Sequence, residues 1–225
     1  MVEPMYPPSK SGIVRWGGAA AISGGVYSLL IATIYAVTRV GAAGNRLFGS
    51  LDPLLFPAPT LFTLSLVTFR GRYGKHLARI GRQALAVAIF GMALVAIGQF
   101  GGAWLGFARG WIGPVAGVAH FVLPLASLCV ELGLLVFAVS AARGHTLPRR
   151  VWGLPFVMAV LPVLVIAASL VVALLRGARL LSIDDIYFQG LCVALAVLWV
   201  VLGVLLWFEG NALARSGGLK SLDTM

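Results

Sequence analysis

Of the 225 residues, 60% are hydrophobic and only 11% are charged, whereas an ordinary soluble domain carries about a quarter charged residues. That composition excludes a soluble globular domain as the host of this chain and places it in a membrane. The formal charge of +10 therefore needs an explanation other than a solvated surface.

A helix that crosses a bilayer needs roughly 20 mainly apolar residues. In chain order, the opening MVEPMYPPSKSG is proline-rich, and residues 1–13 are expected to be loose. A first apolar span follows from Trp16 to Val37. Lys10 and Arg15 before it imitate a secretory leader, but signal cores run about 7 to 15 residues, so this one is expected to remain as an uncleaved helix.

The second span, Leu54 to Phe69, carries Pro53, Pro57 and Pro59 at its outer end. Asp52 and Pro53 form a good helix start. Pro57 and Pro59 are expected to disturb the helix a turn or two later, giving a broken or partly re-entrant outer half.

The link RGRYGKHLARIGRQ comes next. On a continuous helix Arg72, Lys75, Arg79 and Arg82 share one narrow arc, as in an extension of the third span suited to anionic lipid headgroups. That third span, Ala84 to Gly106, leads into glycines at every fourth position, Gly98, Gly102, Gly106 and Gly110. Small residues let helices approach closely in lipid, so these predict a packing groove or a homodimer face, and Gly17, Gly18, Gly24 and Gly25 do the same on the first span.

The fourth span, Trp111 to Ala141, is mostly apolar yet carries His120, Ser127 and Glu131. Seven and eleven residues separate Ser127 and Glu131 from His120, so on an ideal helix both return to within about 20° of its direction. Pro124 lies on the same stripe and frees the carbonyl of residue 120. Glu131 sits about 18 Å from Arg143 at 1.5 Å per residue, which is near mid-membrane. Insertion scales put an ionised carboxylate there at about +2.5 to 3.5 kcal/mol, so Glu131 is expected to face the bundle interior, be protonated, or find a partner. Gln99 and Gln189 are the other polar residues that could join it. Such a site would suit a proton or a polar solute; the structural alternative is an interhelical hydrogen bond.

The fifth and sixth spans are Val151 to Leu175 and Tyr187 to Phe208, followed by a short polar tail over 211–225. Asp184 and Asp185 in the preceding connection form an acidic pair, expected to be a solvated loop neutralised by Arg179. The whole, residues 1–225, reads as a single all-α integral membrane domain, a six-helix bundle.

Orientation follows from the basic residues, which are retained on the cytoplasmic side during insertion. Lys10, Arg15, Arg70, Arg72, Lys75, Arg79, Arg82, Arg143, Arg149, Arg150, Arg215 and Lys220 fall on one side; Arg39, Arg46, Arg109, Arg176 and Arg179 fall on the other. This predicts that both termini are cytoplasmic and makes the net charge a topology signal, with no nucleic-acid partner expected.

No cofactor or metal is expected. Cys129 and Cys192 lack metal-ligand spacing, and a b-type haem would want two intramembrane histidines, whereas His76 and His145 fall in connections. Hydrolase, protease and nucleotide-binding motifs are absent from the sequence.

The stretch FAVSAARGHTLPRRVWGLPFVMAVLPVLVIAASL, residues 137–170, has a helix ending in a basic residue, a short link, L-P-R and a tryptophan before the next apolar run. It resembles an internal connection of many uncharacterised bacterial multi-pass membrane proteins. The resemblance implies a bacterial inner-membrane protein and carries no functional residue. The expectation is a non-enzymatic assembly or accessory component of the membrane, the alternative being a small-solute or proton-coupled transporter with its site around Glu131.

Overall fold

The computed structural model describes residues 9–39, 57–109, 112–145, 147–175 and 185–222. Side chains at 9–11, 35–39, 102–109, 112–121, 166, 169, 170, 172–175, 185–189 and 213–222 are outside that description. Among the described residues the chain is wholly helical: α1 Ser9–Arg39, α2 Pro57–Tyr73, a 3₁₀ turn Gly74–His76, α3 Arg79–Arg109, α4 Ile112–Gly144, α5 Arg149–Leu175 and α6 Asp185–Leu222. Each of the six apolar segments seen in the sequence is a helix. Four stretches, Gly12–Ile34, Arg79–Gly101, Val122–Gly144 and Gly190–Ala212, are long and apolar enough to cross a membrane.

The helices form a closed ring in which each packs on its neighbour in sequence and α6 returns to α1. The closest pairs are α1 with α6 and α3 with α4, both antiparallel. The same device holds them. A Cβ at Gly18 would lie 2.7 Å from the carbonyl oxygen of Gly203, and one at Gly25 would lie 2.7 Å from that of Ala196. In the other pair a Cβ at Gly91 would lie 2.6 Å from the Ala126 oxygen, and one at Gly133 would lie 2.7 Å from the Ala84 oxygen. These distances leave no room for any side chain, so the backbones themselves are in contact. Where lipid is as apolar as leucine, that close van der Waals approach is what holds helices together.

The small residues recur every seventh position: Gly18 and Gly25 on α1, Ala84, Gly91 and Gly98 on α3, Ala126, Gly133 and Ser140 on α4, and Ala196, Gly203 and Gly210 on α6. A seven-residue repeat keeps one seam facing a partner along its length. The four-residue series from Gly98 is described only at its first member. Gly98 does pack, a Cβ there meeting the Leu123 side chain at 2.8 Å, but nothing lies within 4 Å of Gly101. Gly110 and the surroundings of Gly102 and Gly106 lie outside the described residues.

Helix α2 is 17 residues long, shorter than its neighbours, with Arg70 and Arg72 in its last turn, yet its aromatic face fills the middle of the bundle. Phe62 stacks on Trp199 of α6, with centroids 4.2 Å apart and planes 9° apart. Phe69 meets Phe137 of α4 edge-on at 5.5 Å. Ser65 and Leu66, between them, are buried. On its other side α2 fits α1 through Gly24, whose added Cβ would meet the Phe62 ring, and Gly17, where it would strike Thr68.

One expectation for this region changes, and the other falls partly outside the described residues. The described helix starts at Pro57, with Pro57 and Pro59 in its first turn, where the amides have no acceptor within the helix and proline is tolerated. The helix is unbroken from there; Asp52 and Pro53 lie outside the described residues. The basic stretch after it is not one helix. Arg72 belongs to α2, Lys75 to the 3₁₀ turn, and Arg79 and Arg82 to the start of α3, with Leu77 extended between them at ψ 144°. The link GRYGKH carries Gly71 and Gly74, and glycine there lowers the helix propensity that a continuous rod would need.

At the α4–α5 link His145 takes a left-handed conformation, φ 49°, and its amide donates to the Ala142 carbonyl at 3.4 Å, closing α4. Pro148 then precedes the first residue of α5, and Val151 N–H donates to its carbonyl at 2.8 Å. Proline is preset for this position. Pro124, Pro155 and Pro162 lie inside helices that continue through them.

Replacing Gly203 with Leu is expected to cost more than the roughly 1–3 kcal/mol usual for overpacking, because backbone, not a flexible side chain, must give way. Gly101→Leu, with open space, is expected to be tolerated. Thermal unfolding of the two variants in detergent micelles checks this: comparable midpoints would show that the α1–α6 contact is not the close one.

Candidate functional site

Polar groups gather at two levels of the bundle. At mid-depth, α4 turns Ala126, Val130, Leu134 and Phe137 inward, where all are buried. Its other side carries Pro124 and Ser127, both exposed, and Glu131, half-buried, with Leu125, Leu128 and Leu132 exposed around them. The stripe seen in the sequence therefore faces outward at this level. Seven residues on from Glu131, Ala138 is buried, so the same stripe is closed toward the end of α4 and open at its middle. Glu131 itself is half-buried, between the buried and the exposed sides of α4.

Neither Ser127 nor Glu131 has a hydrogen-bond partner among the described residues. Other hydroxyls in the helices bond back to the preceding turn: Ser28 to the Gly24 carbonyl at 2.9 Å, Thr33 to Leu29 at 2.8 Å and Thr63 to Pro59 at 2.7 Å. The structure does not bring Gln99 to this place. Its neighbour Gly98 packs on Leu123, eight residues before Glu131 and about 12 Å along the helix. Gln99 Oε1 and Ser65 Oγ are buried without a partner among the described residues. The side chains of His120 and Gln189 lie outside the description.

The second level is the basic end, where α1 begins and α2 and α6 run out. Tyr73, buried at the last residue of α2, donates its hydroxyl hydrogen to Glu209 Oε2 on α6. Arg72 lies over the Tyr73 ring, 5.7 Å from its centre, and Arg15 of α1 over the Trp207 ring at 5.1 Å. The Arg15 stem presses on the backbone at Gly210, where a Cβ would lie 2.5 Å from it. Burial, then the hydrogen bond and charge of Glu209, hold the Tyr73 phenol well above the usual tyrosine range, while Arg72 and Arg150 pull weakly the other way. The Tyr73–Glu209 bond thereby ties α2 to α6, with Arg72 and Arg150 acting on the tyrosine.

Sequence reasoning missed this pair because 136 positions separate its members. The available signal was that Glu209 is the one acidic residue directly following an apolar span. It also missed Gly91, Gly133, Gly203 and Gly210, whose seven-residue spacing from other small residues was legible. Arg72, Lys75, Arg79 and Arg82 cluster at this end, with Lys75, Arg79 and Arg82 exposed and Arg72 half-buried. Cys129 is half-buried against Gly91, Cys192 is half-buried on α6, and no group of three or more metal-ligating side chains occurs among the described residues.

No family model, curated protein or solved structure matches the chain. The geometry therefore carries the functional question alone.

Tyr73→Phe leaves Glu209 without its donor and is expected to cost about 2 kcal/mol, the range for a hydrogen bond to a charged group. The tyrosine titrates higher folded than unfolded, so its contribution is complete below about pH 10 and is lost as pH rises through the folded value. Alkaline titration of the tyrosinate absorbance checks this. One tyrosine should stay protonated after the others ionise, and Glu209→Gln should bring it down toward them; uniform titration of all tyrosines would refute the buried pair.

Proposed function

We propose that the chain is a six-span, non-enzymatic integral membrane protein with both termini in the cytoplasm, acting as an assembly or accessory component. The observation that carries this is the placement of polar groups at mid-depth. The centre of the bundle is filled by Phe62, Phe69, Phe137 and Trp199 packed ring to ring, whereas Ser127 and Glu131 lie toward the outside. A polar group that serves a conducted solute belongs in the interior; one on an outer face serves what docks there. The resemblance of residues 137–170 to connections in bacterial multi-pass proteins supports a bacterial inner membrane as the location.

The apolar outer surface, with Leu30, Phe90, Ile97, Leu125 and Leu164 all exposed, is suited to lipid tails. At the basic end Arg72, Lys75, Arg79 and Arg82 would meet anionic headgroups, at about 1 kcal/mol per basic residue near the surface. They do so as a ring of helix ends rather than one helical face.

Topology is the first test. A cysteine placed at Lys75, exposed in the 3₁₀ turn, should react with an impermeant thiol reagent only after cells are opened. A second cysteine at Arg179 should react from outside. Labelling at position 75 of intact cells would overturn the orientation. The competing transporter reading makes a different forecast: Glu131→Gln would abolish proton-coupled uptake in vesicles, while an assembly role leaves vesicle permeability unchanged.

A further inference from the structure

Resting on the assembly reading, we propose that the outward face of α4 bearing Ser127, Leu128 and Glu131 is the docking surface for a second copy of this chain, with the two Glu131 carboxyls hydrogen-bonded to each other. Three features of the molecule lead there. α4 is already packed by α3, which seats Gly133 and Ala126 against backbone, and by α5, so a further partner must use the exposed side bearing Pro124, Ser127 and Leu128. That face is apolar except for two polar groups one turn apart, and neither is bonded to any described residue. The hydroxyls of Ser28, Thr33 and Thr63, by contrast, are satisfied within their own helices.

The chemistry of the carboxyl then selects the occupant. Lipid tails offer no acceptor or donor, and a carboxyl left among them is costly. Two copies inserted with the same orientation are related by a two-fold axis parallel to the helices, which preserves depth, so each residue near the axis meets its own counterpart. A carboxylic acid is self-complementary in that arrangement: each O–H donates to the other's carbonyl oxygen, closing two hydrogen bonds. Ser127, one turn along, meets its own counterpart, and a hydroxyl likewise both donates and accepts. Leu128, with exposed Pro124 and Leu132 beside it, supplies the apolar surround that keeps other donors away.

The test uses the full chain in phosphatidylcholine vesicles, with subunits counted by single-molecule photobleaching over a range of protein-to-lipid ratios. The chain should dimerise. Glu131→Gln, whose amide also donates and accepts, should keep the dissociation constant within about threefold, and Glu131→Leu should raise it about tenfold, as expected for two interhelical hydrogen bonds in a bilayer. A cysteine at Leu128, in a Cys129→Ala, Cys192→Ala background, should cross-link between copies. This readout keeps the native carboxyl and does not depend on the folding of the Glu131 variants.

A dimer that is unchanged by Glu131→Leu and not cross-linked at residue 128 overturns the face but leaves the assembly role standing. Monomers in pure vesicles, with the chain held in a larger complex in its native membrane, overturn the second copy as occupant. Monomers in both settings overturn the assembly reading as well.

Discussion

Everything else in this bundle depends on backbone meeting backbone at a few glycines. In water a helix pair gains from removing apolar surface from solvent, but between helices in hydrocarbon that gain is absent and contact has to come from proximity. At Gly18 against Gly203 and Gly133 against Ala84 there is no space for even a methyl group. Two antiparallel pairs built this way are stiff units, and the ring consists of these two units bridged by α2 on one side and α5 on the other. The seat of α2 follows from them, with its aromatic face inward and Leu64 and Val67 exposed. It is the helix least able to meet lipid on its own, and it lies where Gly17 and Gly24 admit Thr68 and Phe62.

The two polar levels differ in how they are satisfied. At the basic end, opposite charge is abundant: Arg72 and Arg150 both act on Tyr73, and its partner Glu209 needs no further explanation. At mid-depth nothing comparable surrounds Glu131. Of the seven Asp and Glu in the sequence, Glu209 lies within α6 but is bonded to Tyr73, so Glu131 is the carboxyl inside an apolar helix for which no partner occurs among the described residues. The proposed pairing of two copies rests on that difference.

Much of the architecture was legible because an apolar run long enough to cross a bilayer is a strong signal in one dimension. All six segments became helices, and the end at which basic residues collect was visible from their count. What the sequence hid was direction. A helix surrounded by lipid is apolar on both its inward and its outward face, so the usual contrast between a polar and an apolar side is missing. Leu128 and Leu134, six residues apart on α4, are alike in chemistry and opposite in exposure. Only side-chain size marked the contact faces, and the conspicuous four-residue series after Gly98 drew attention from the seven-residue series that makes the described contacts. Glu131 was legible as an anomaly, but which way it points required knowing which face of α4 the small residues Ala126 and Gly133 occupy.

The pairing of α1 with α6 has a consequence for how the protein is made. The α3–α4 hairpin joins segments adjacent in the chain and can zip as soon as α4 emerges. The α1–α6 seam joins Gly18 to Gly203, so α1 has to wait until α6 has left the ribosome. During that interval its small-residue face is bare and open to any other helix with the same spacing, including one from a neighbouring nascent chain. Long-range closure of this kind is slow and exposed to misassembly. The glycines that make the finished ring tight thus also set the moment at which it is most vulnerable: the interval before α6 arrives, when quality-control proteases or chaperones of the membrane would find an unclosed bundle.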